Sequence, residues 1–225
     1  MQGKIVEDTI LQWEIEMFNA FESVVEDGKM IEFLGEEFLA LPNVFWPSKD
    51  TELLVKHMKV FRGEQVLDLC TGTGAVAIHA SKMGACKVVA VDIGGNAVRS
   101  ATFNIQQKGL DSIVEVRRSN MFDAIRNDEI FNVITINPPF RNHHAVREVE
   151  RTMWDSELLA HRSLFLNAAN HLSLYGRIYL TQASFGAVNE MLQLADQNHF
   201  AVKKIGEQYV DCDMTFYVFE LTKRS

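Results

Sequence analysis

VLDLCTGTGA, residues 66 to 75, is the stretch that decides the fold of this chain. It passes from a short apolar run, through a turn with two glycines, into a helical pattern rich in alanine. Glycines at 72 and 74 allow the backbone to approach a ligand closely and expose the amides that begin the helix. The run from Gly72 to Ala77 also fits the dinucleotide fingerprint G-x-G-x-x-A. The stretch therefore predicts a buried strand, a turn that binds a nucleotide-like ligand, and a helix.

Short apolar strands alternate with helical segments from this stretch onward. Such alternation is typical of a parallel sheet covered by helices on both faces. The last two strands are joined by a turn that is too short for a helical crossover, which predicts an antiparallel hairpin. The chain is thus predicted to be an α/β protein with seven strands, near 65–70, 87–92, 113–118, 131–136, 177–183, 201–207 and 214–221, and helices near 75–83, 95–108, 155–173 and 186–198.

The segment before the sheet reads as an appendage. Apolar residues at helical spacing predict an amphipathic helix over 9–27. A hairpin over 31–41 follows, and then a loop with Pro42 and Pro47. A further helix is predicted from Asp50 onward. We therefore expect an N-terminal helix and hairpin over 1–44 and the main domain over 45–225.

Composition sets limits on function. A chain of 225 residues with 47% hydrophobic content can build one sizeable core. The net charge of −8 repels polyanions and argues against extended binding to a nucleic-acid duplex. The three cysteines, Cys70, Cys86 and Cys212, have no metal-binding spacing, so we expect reduced thiols and no metal site. The sequence has neither the pattern of a signal peptide nor an apolar run long enough for a membrane span. We therefore expect a cytoplasmic monomer or homodimer.

Two carboxylates help to define the ligand of the glycine turn. Asp68 lies at the mouth of the first sheet strand, where it would repel a pyrophosphate but attract the ammonium and sulfonium of S-adenosylmethionine. Asp92 ends the next strand, where a carboxylate can accept hydrogen bonds from both ribose hydroxyls. Asp92 suits either nucleoside cofactor, whereas Asp68 favours S-adenosylmethionine over NAD. An NAD-dependent oxidoreductase is the alternative from a different class.

The string Asn137-Pro138-Pro139-Phe140 directly follows the apolar run 131–136 and predicts an acceptor clamp for methyl transfer to nitrogen. The Asn137 side-chain oxygen and the Pro138 carbonyl can each accept one hydrogen of an amide or amine, which aims the nitrogen lone pair. The two prolines fix backbone angles and so preorganise these acceptors. Phe140 would stack on a planar acceptor. Asn137, Pro138 and Phe140 are the predicted catalytic residues, and all four residues are predicted to contact the substrate.

At these motifs the chain resembles the class I S-adenosylmethionine-dependent methyltransferases, in the N-methylating branch with an Asn-Pro-Pro-aromatic motif. Residues 31–38 and 44–55 further resemble the hairpin and loop that precede the catalytic domain of release factor glutamine methyltransferases. The resemblance implies a Rossmann-like fold, a loop that places Pro47 and Thr51 near the methionine end of the cofactor, and an acceptor that is a protein glutamine side chain. Cofactor contacts are implied at Thr51, Asp68, Cys70, Thr71, Gly72, Gly74, Asp92, Asn120, Met121 and Asn137.

Three departures from the family bear on affinity and substrate. Cys70 stands at the usual first glycine of the loop, and a less tight turn is expected there. Asn120 stands where an aspartate usually accepts from the adenine amino group. The chain before the hairpin is short, whereas the glutamine methyltransferases carry a larger helical domain that recognises the release factor. A base in RNA or DNA and a small-molecule amine therefore remain alternative acceptors.

Several further side chains allow two interpretations each. The loop after the clamp is either a cationic rim for the substrate or a solvated loop; its basic residues are Arg141, His143, His144, Arg147 and Arg151. His161 and Glu157 are interpreted as a surface pair on a helix. Three aromatic residues near the N-terminus could cover the substrate, although packing on the sheet is the favoured interpretation; they are Trp13, Phe18 and Phe21.

Overall fold

The computed structural model describes residues 2–210 and 214–224. The strands are β1 (Lys29–Phe33), β2 (Glu36–Ala40), β3 (Gln65–Leu69), β4 (Lys87–Asp92), β5 (Val114–Arg118), β6 (Phe131–Ile136), β7 (Leu172–Ala183), β8 (Phe200–Tyr209) and β9 (Thr215–Lys223). The helices are α1 (Gln2–Glu22), α2 (Lys49–His57), α3 (Ala75–Lys82), α4 (Gly95–Gln107), α5 (Leu159–His171) and α6 (Val188–Gln197).

Seven strands form one sheet in the order β5-β4-β3-β6-β7-β9-β8. The pairs from β5 through β7 are parallel, and β9 pairs antiparallel with both β7 and β8. The predicted mostly parallel sheet and its C-terminal antiparallel hairpin are thus confirmed. In β3, Asp68 pairs with Ala90 of β4 and Thr135 of β6, which places a carboxylate beside a hydroxyl inside the sheet.

Helices cover both faces of the sheet because its central strands are apolar on both sides. Val66 points into a core shared with α2, α3 and α4. Its neighbour Leu67 points into a second core shared with α5 and α6. Consecutive strand residues face opposite sides, so one continuous apolar run supplies both cores.

The N-terminal hairpin is attached to α4. The Leu39 amide donates to the Asn104 side-chain oxygen at 2.7 Å, and the Asn104 side-chain nitrogen donates back to the Leu39 carbonyl at 2.9 Å. The Leu41 amide donates to the Ser100 hydroxyl. The hairpin end of the segment 1–44 is therefore packed directly against α4.

Two helices, α1 and α5, differ from the sequence prediction by four or more residues at one end or both. α1 begins before residue 9 and ends at Glu22. α5 begins at Leu159 instead of 155, because Glu157 and Leu158 take left-handed backbone angles that interrupt the helix. Within the described part of the chain, no helix combines the length and apolarity that a bilayer crossing requires.

Candidate functional site

A cavity of about 1150 Å³ opens at the carboxyl ends of β3, β4 and β6. This is the point where the strand order of the sheet reverses, the usual ligand position in open α/β sheets. Of the residues predicted for the site, all but Asp68 and Gly74 line this cavity: Thr51, Cys70, Thr71, Gly72, Asp92, Asn120, Met121, Asn137, Pro138, Pro139 and Phe140.

The turn after β3 uses the left-handed conformation three times, at Cys70 (φ 57°), Gly72 (φ 54°) and Gly74 (φ 83°). Cys70 thus adopts the backbone of the glycine that the family usually has there. A Cβ at Gly74 would lie 3.2 Å from Ala101 of α4, so this glycine lets α3 and α4 approach each other. Gly74 acts on helix packing, whereas Cys70 and Gly72 border the ligand space.

Asp68 lies behind the turn. It is buried, and its two oxygens accept from the hydroxyls of Thr71 at 2.6 Å and Thr135 at 2.7 Å. Burial raises the pKa of Asp68 to about 6, opposed by the two threonine hydrogen bonds. Asp68 therefore acts on the ligand space through Thr71. The only sequence signal for Thr135 was its position as a polar residue within an apolar strand.

Asp92 ends β4 and reaches the cavity. One of its carboxylate oxygens accepts from the Gly72 amide and the other from the Gly94 amide, both at 2.9 Å. Burial raises the pKa of Asp92, and the backbone hydrogen bonds oppose that rise. Each oxygen keeps a lone pair for a ligand hydroxyl. Asp92 thereby joins the glycine turn to the start of α4 and offers the acceptors that a ribose requires.

Asn120 and Met121 line the cavity beyond Asp92. Asn120 is exposed, whereas Met121 is buried and has a left-handed φ of 49°. The Cys70 Sγ lies 3.9 Å from the Met121 sulfur. Burial raises the pKa of the Cys70 thiol, so this sulfur stays protonated and forms part of an apolar wall.

Asn137 sits at the end of β6 in a set of defined hydrogen bonds. Its side-chain nitrogen donates to Asp50 Oδ2 at 2.8 Å and to Thr51 Oγ1 at 3.3 Å. The Thr181 hydroxyl donates to the Asn137 side-chain oxygen. The sequence indicated Asp50 only as a helix start, and Thr181 gave no signal beyond being a polar residue in a strand.

Phe140 belongs to an aromatic wall of the cavity. Its ring centroid lies 6.0 Å from that of Phe216 and 6.2 Å from that of Phe185. The Trp13 ring of α1 contacts Phe185 edge to face at 5.9 Å. Trp13, Phe140 and Phe216 all line the cavity, so the space beside the clamp is flat and apolar on several sides.

The loop after the clamp is held by α1. Arg141 is buried and donates to Glu14 Oε2 at 2.6 Å and to Glu7. Arg147 pairs with Glu22 and Glu150. These two arginines thus serve α1 rather than a substrate rim, while His144 and Arg151 line the cavity.

α1 packs on this loop and not on the sheet. Phe18 and Phe21 are fully buried in a cluster with Val149 and Met153 of the loop. The favoured interpretation of packing on the sheet was therefore wrong, because the apolar stripe of α1 meets the loops above the sheet edge. Trp13 is the member of this helix that reaches the cavity.

His161 corrects a second sequence interpretation. The imidazole is fully buried, and its Nδ1 lies 2.7 Å from Asp155 Oδ2, while Nε2 lies 3.1 Å from the Gln182 side-chain nitrogen. Glu157 is not its partner, because the left-handed turn at 157 and 158 removes that residue from α5. His161 instead fastens the loop through Asp155, a residue that lines the cavity.

No group of three or more His, Cys, Asp or Glu side chains in residues 2–210 and 214–224 is arranged to hold a metal ion. Cys86 is exposed and its thiol donates to the Gly63 carbonyl. Cys212 lies outside the described residues.

The donor set fits a nucleoside that carries a cationic chain. Asp92 offers free lone pairs for ribose hydroxyls, and the Asp50 carboxylate and Thr51 hydroxyl face the other end of the same cavity. A volume of about 1150 Å³ exceeds that of most single-ligand sites, so a cofactor and the tip of a second molecule both have space.

Comparison with known proteins agrees with this geometry. The family model described as the methyltransferase small domain matches residues 36–211. A release factor glutamine methyltransferase of Aliivibrio fischeri is 30% identical over 213 residues, covering 88% of this chain and 72% of the relative. One from Rhodopirellula baltica is 28% identical over 174 residues, covering 64% and 59%.

Solved structures give the same result. A 16S rRNA N2 methyltransferase of T. thermophilus, solved with AdoMet and guanosine, superposes with a TM-score of 0.64 at 25% identity, covering 87% of this chain and 50% of that one. The chain spans about half the length of several relatives that it matches, two release factor glutamine methyltransferases and one protein N5-glutamine methyltransferase of Methanocaldococcus jannaschii among them. No oxidoreductase is among these relatives.

The motifs, the reversal point of the sheet, the cavity and the relatives lead to one assignment. The cofactor is S-adenosylmethionine, and the enzyme is a methyltransferase. The chain belongs to the methyltransferase small domain family, as a class I S-adenosylmethionine-dependent methyltransferase that resembles the release factor glutamine methyltransferases.

Proposed function

We propose that this enzyme transfers a methyl group to a planar amide or amine nitrogen, and that the acceptor is a glutamine side chain of a protein. The observation that carries the proposal is the set of hydrogen bonds that hold the Asn137 side chain. Its carboxamide is held in the cavity with the nitrogen on Asp50 and the oxygen beside Thr181. A carbonyl oxygen has two lone pairs, so one remains for an acceptor N–H.

The chemical task of the chain is to position the acceptor nitrogen. S-adenosylmethionine supplies an electrophilic methyl group on a sulfonium. An amide nitrogen is a poor nucleophile because its lone pair is delocalised. The Asn137 side-chain oxygen and the Pro138 carbonyl would each hold one N–H hydrogen, which aims the lone pair and stabilises charge that develops on nitrogen.

The walls of the cavity suit a flat acceptor group. Phe140 is 7% exposed and is braced by Phe185 and Phe216, so its ring cannot easily rotate away. Trp13 and Phe216 line the same space. A rigid aromatic surface gives a planar carboxamide or base a face on which to stack.

Exposed apolar side chains at the rim of the cavity support a protein as the methyl acceptor. Three apolar side chains that line it remain strongly exposed, at 77% for Val146, 61% for Leu159 and 67% for Leu166. Exposed apolar groups around an opening favour contact with a protein surface. The two release factor glutamine methyltransferases compared above support glutamine as the group that is presented.

An exocyclic amine of an RNA base is the second candidate. It is favoured by the likeness to the rRNA methyltransferase solved with guanosine and by three arginines on the cavity lining, Arg118, Arg151 and Arg162. The net charge of −8 acts against it, because a phosphate backbone would be repelled by the molecule as a whole.

Radiolabelled S-adenosylmethionine distinguishes the two candidates. The enzyme is incubated separately with purified release factors, total RNA and a small-metabolite fraction, and labelled proteins are digested to locate the methyl group by mass spectrometry. Label on a glutamine side chain supports the proposal. Label confined to RNA or to metabolites overturns the choice of acceptor while leaving N-methyl transfer in place.

Removing the clamp oxygen tests the mechanism. Asn137→Ala should lower turnover by about 100-fold or more, because one preorganised acceptor at the reacting nitrogen is lost. Asn132→Ala is the matched control, since Asn132 lies on the same strand and its side-chain oxygen accepts from the Gln65 amide, away from the cavity. Cofactor binding to both variants is measured by calorimetry. Unchanged turnover in Asn137→Ala would remove Asn137 from the mechanism.

A further inference from the structure

Asp50 is a buried carboxylate at the reaction centre. It is 1% exposed, lies in the first turn of α2 and lines the cavity. Its Oδ2 accepts from the Asn137 side-chain nitrogen at 2.8 Å, and its Oδ1 accepts from the Ser48 hydroxyl. Both donors are neutral groups. Burying a carboxylate without a cation is costly, and the N-terminus of α2 offsets only part of that cost.

The contact with Asp50 decides which end of the Asn137 carboxamide is the oxygen and which is the nitrogen. A carboxamide can rotate by half a turn and exchange its oxygen and nitrogen with little change in shape. Both Asp50 oxygens accept hydrogen bonds here, and an accepting oxygen needs a donor opposite it, so the edge of Asn137 that faces Asp50 is the NH2 group. The oxygen is then directed to the opposite side, where the Thr181 hydroxyl donates to it.

The orientation matters because the acceptor nitrogen also carries hydrogens. In the observed orientation, an oxygen lone pair of Asn137 is available to an acceptor N–H. In the reversed orientation, two NH2 groups would face each other, and neither could accept. The contact between Asp50 and Asn137 joins residues 87 positions apart, one in the first turn of α2 and the other directly after β6.

We propose that Asp50 is a positioning residue that fixes the Asn137 carboxamide with its oxygen toward the acceptor. This inference rests on the proposed function, since an oriented oxygen is useful only if the acceptor carries N–H groups. Asp50 acts through its hydrogen bond and needs no proton transfer.

Three variants test the proposal. Asp50→Ala removes the acceptor for the Asn137 NH2 group. Asp50→Asn keeps an oxygen that can accept from it, while its own NH2 group can donate to Ser48. Glu52→Ala is the matched control, because it also removes one carboxylate from the first turn of α2, but from a side chain that pairs with Lys56. Asp50→Ser replaces Asp50→Ala if the alanine variant does not fold.

Turnover and cofactor affinity are measured on the acceptor that the wild-type enzyme labels. We expect Asp50→Ala to lower kcat by about 10- to 100-fold, as is usual for groups that orient a reacting side chain. We expect its dissociation constant for S-adenosylmethionine to stay close to that of the wild type, and Asp50→Asn to recover most of the turnover. Glu52→Ala should match the wild type in both quantities.

Heteronuclear NMR of the Asn137 side-chain amide tests the orientation without any acceptor. The signals are identified by their loss in Asn137→Ala. They should move much less in Asp50→Asn than in Asp50→Ala, because only the alanine variant removes the oxygen that accepts from the Asn137 NH2 group. This readout remains informative even if the release factor is not methylated, so failure of the glutamine proposal and failure of this inference can be told apart.

Each of the following results overturns the role of Asp50 as a positioning residue. Weaker cofactor binding with normal kcat in Asp50→Ala would assign this carboxylate to the cofactor ammonium. An equal loss of kcat in Asp50→Asn and Asp50→Ala would show that charge, not orientation, is what matters. Unchanged Asn137 signals in Asp50→Ala would show that other contacts fix the carboxamide.

Discussion

Asp68 illustrates how one residue couples the sheet to the cofactor turn. Its position in β3 follows directly from the apolar run around it, but its partner Thr135 is supplied by the neighbouring strand β6. The sequence suggested a direct contact with the cationic cofactor. The geometry places Thr71 between them, so any attraction acts over a longer distance. A pKa of about 6 then makes Asp68 sensitive to pH near neutrality.

Asp68 should make stability depend on pH in a defined direction. The folded protein holds this proton up to about pH 6, whereas the unfolded chain releases it at about pH 4. The stabilisation is therefore fully present below about pH 4 and is lost as pH rises through about 6. In the ligand-free protein, the free energy of unfolding of wild type minus Asp68→Asn should fall by about 3 kcal/mol across this window.

Urea unfolding at several pH values measures this difference. Asp128→Asn is the control, since it makes the same change in charge at a carboxylate that is 84% exposed. Its difference from the wild type should vary far less with pH. An equally flat difference for Asp68→Asn would show that Asp68 is not protonated in the folded protein.

Cys70 carries a side chain in the left-handed backbone conformation that glycine adopts without strain. At φ 57° an L-residue pays about 1 to 2 kcal/mol that glycine does not. The family usually has glycine here, so the chain tolerates strain at the turn that borders the ligand space. The thiol offsets part of it through contact with Met121.

Two substitutions separate strain from packing at this position. Both Cys70→Gly and Cys70→Ala remove the thiol, but only glycine relieves the left-handed conformation. We expect Cys70→Gly to be more stable than Cys70→Ala by about 1 kcal/mol, measured by urea unfolding. If the alanine variant is equally or more stable, the turn must relax when the side chain is shortened.

At the scale of elements, α1 is the part whose role the sequence could not predict. Its apolar spacing established a helix with one buried face, but several surfaces could have received that face. The loop after the clamp receives it, through Phe18 and Phe21 and through the ion pair between Glu14 and Arg141. α1 therefore helps to form the wall of the cavity, on which its Trp13 lies.

Breaking this ion pair should release α1. Glu14 is fully buried, and burial raises its pKa while Arg141 opposes the rise. Arg141→Met would leave this carboxylate without its cation and should cost about 3 to 5 kcal/mol of stability. Hydrogen exchange of α1 should rise more than that of the sheet, and a double variant that adds Glu14→Gln should recover part of the loss.

Arg147→Met is the matched control for this element. Arg147 lies in the same loop and also pairs with α1, through Glu22, but at the surface. Its replacement should have a much smaller effect on stability and on exchange of α1. Equal effects of the two arginine variants would contradict a special role for the buried pair.

At the scale of the whole molecule, ligand binding should stabilise the fold as a unit. The cavity is lined by the ends of β3, β4 and β6, by the loop before α2 and by the loop held by α1, so its wall joins segments that are far apart in the sequence. S-adenosylmethionine at 100 times its dissociation constant should add about 2.7 kcal/mol. For a domain of this size, Tm should rise by about 5 to 10 °C.

Differential scanning fluorimetry with S-adenosylmethionine and NAD at equal concentration measures this effect. NAD should raise Tm far less, because the Asp50 carboxylate on the cavity lining and the buried Asp68 carboxyl behind the glycine turn would repel its pyrophosphate. A larger shift with NAD would contradict the assigned cofactor.

The sequence by itself determined the features that depend on neighbours along the chain. Apolar runs of strand length and helical spacing established the alternating elements. The glycine turn, Asp92 and the string from Asn137 to Phe140 indicated residues that line the cavity. These signals are readable because side-chain periodicity and turn chemistry are local properties.

Only the tertiary structure decided which of these groups meet. Asp50 is hydrogen-bonded to Asn137, and Thr135 to Asp68. His161 contacts Asp155 and Gln182 through its two ring nitrogens. The tertiary structure also decided that α1 covers the loop after Phe140, through Val149 and Met153, instead of the sheet. Such pairings arise when the strand order brings distant segments to one edge, and a periodic pattern specifies that a face is buried without specifying its partner.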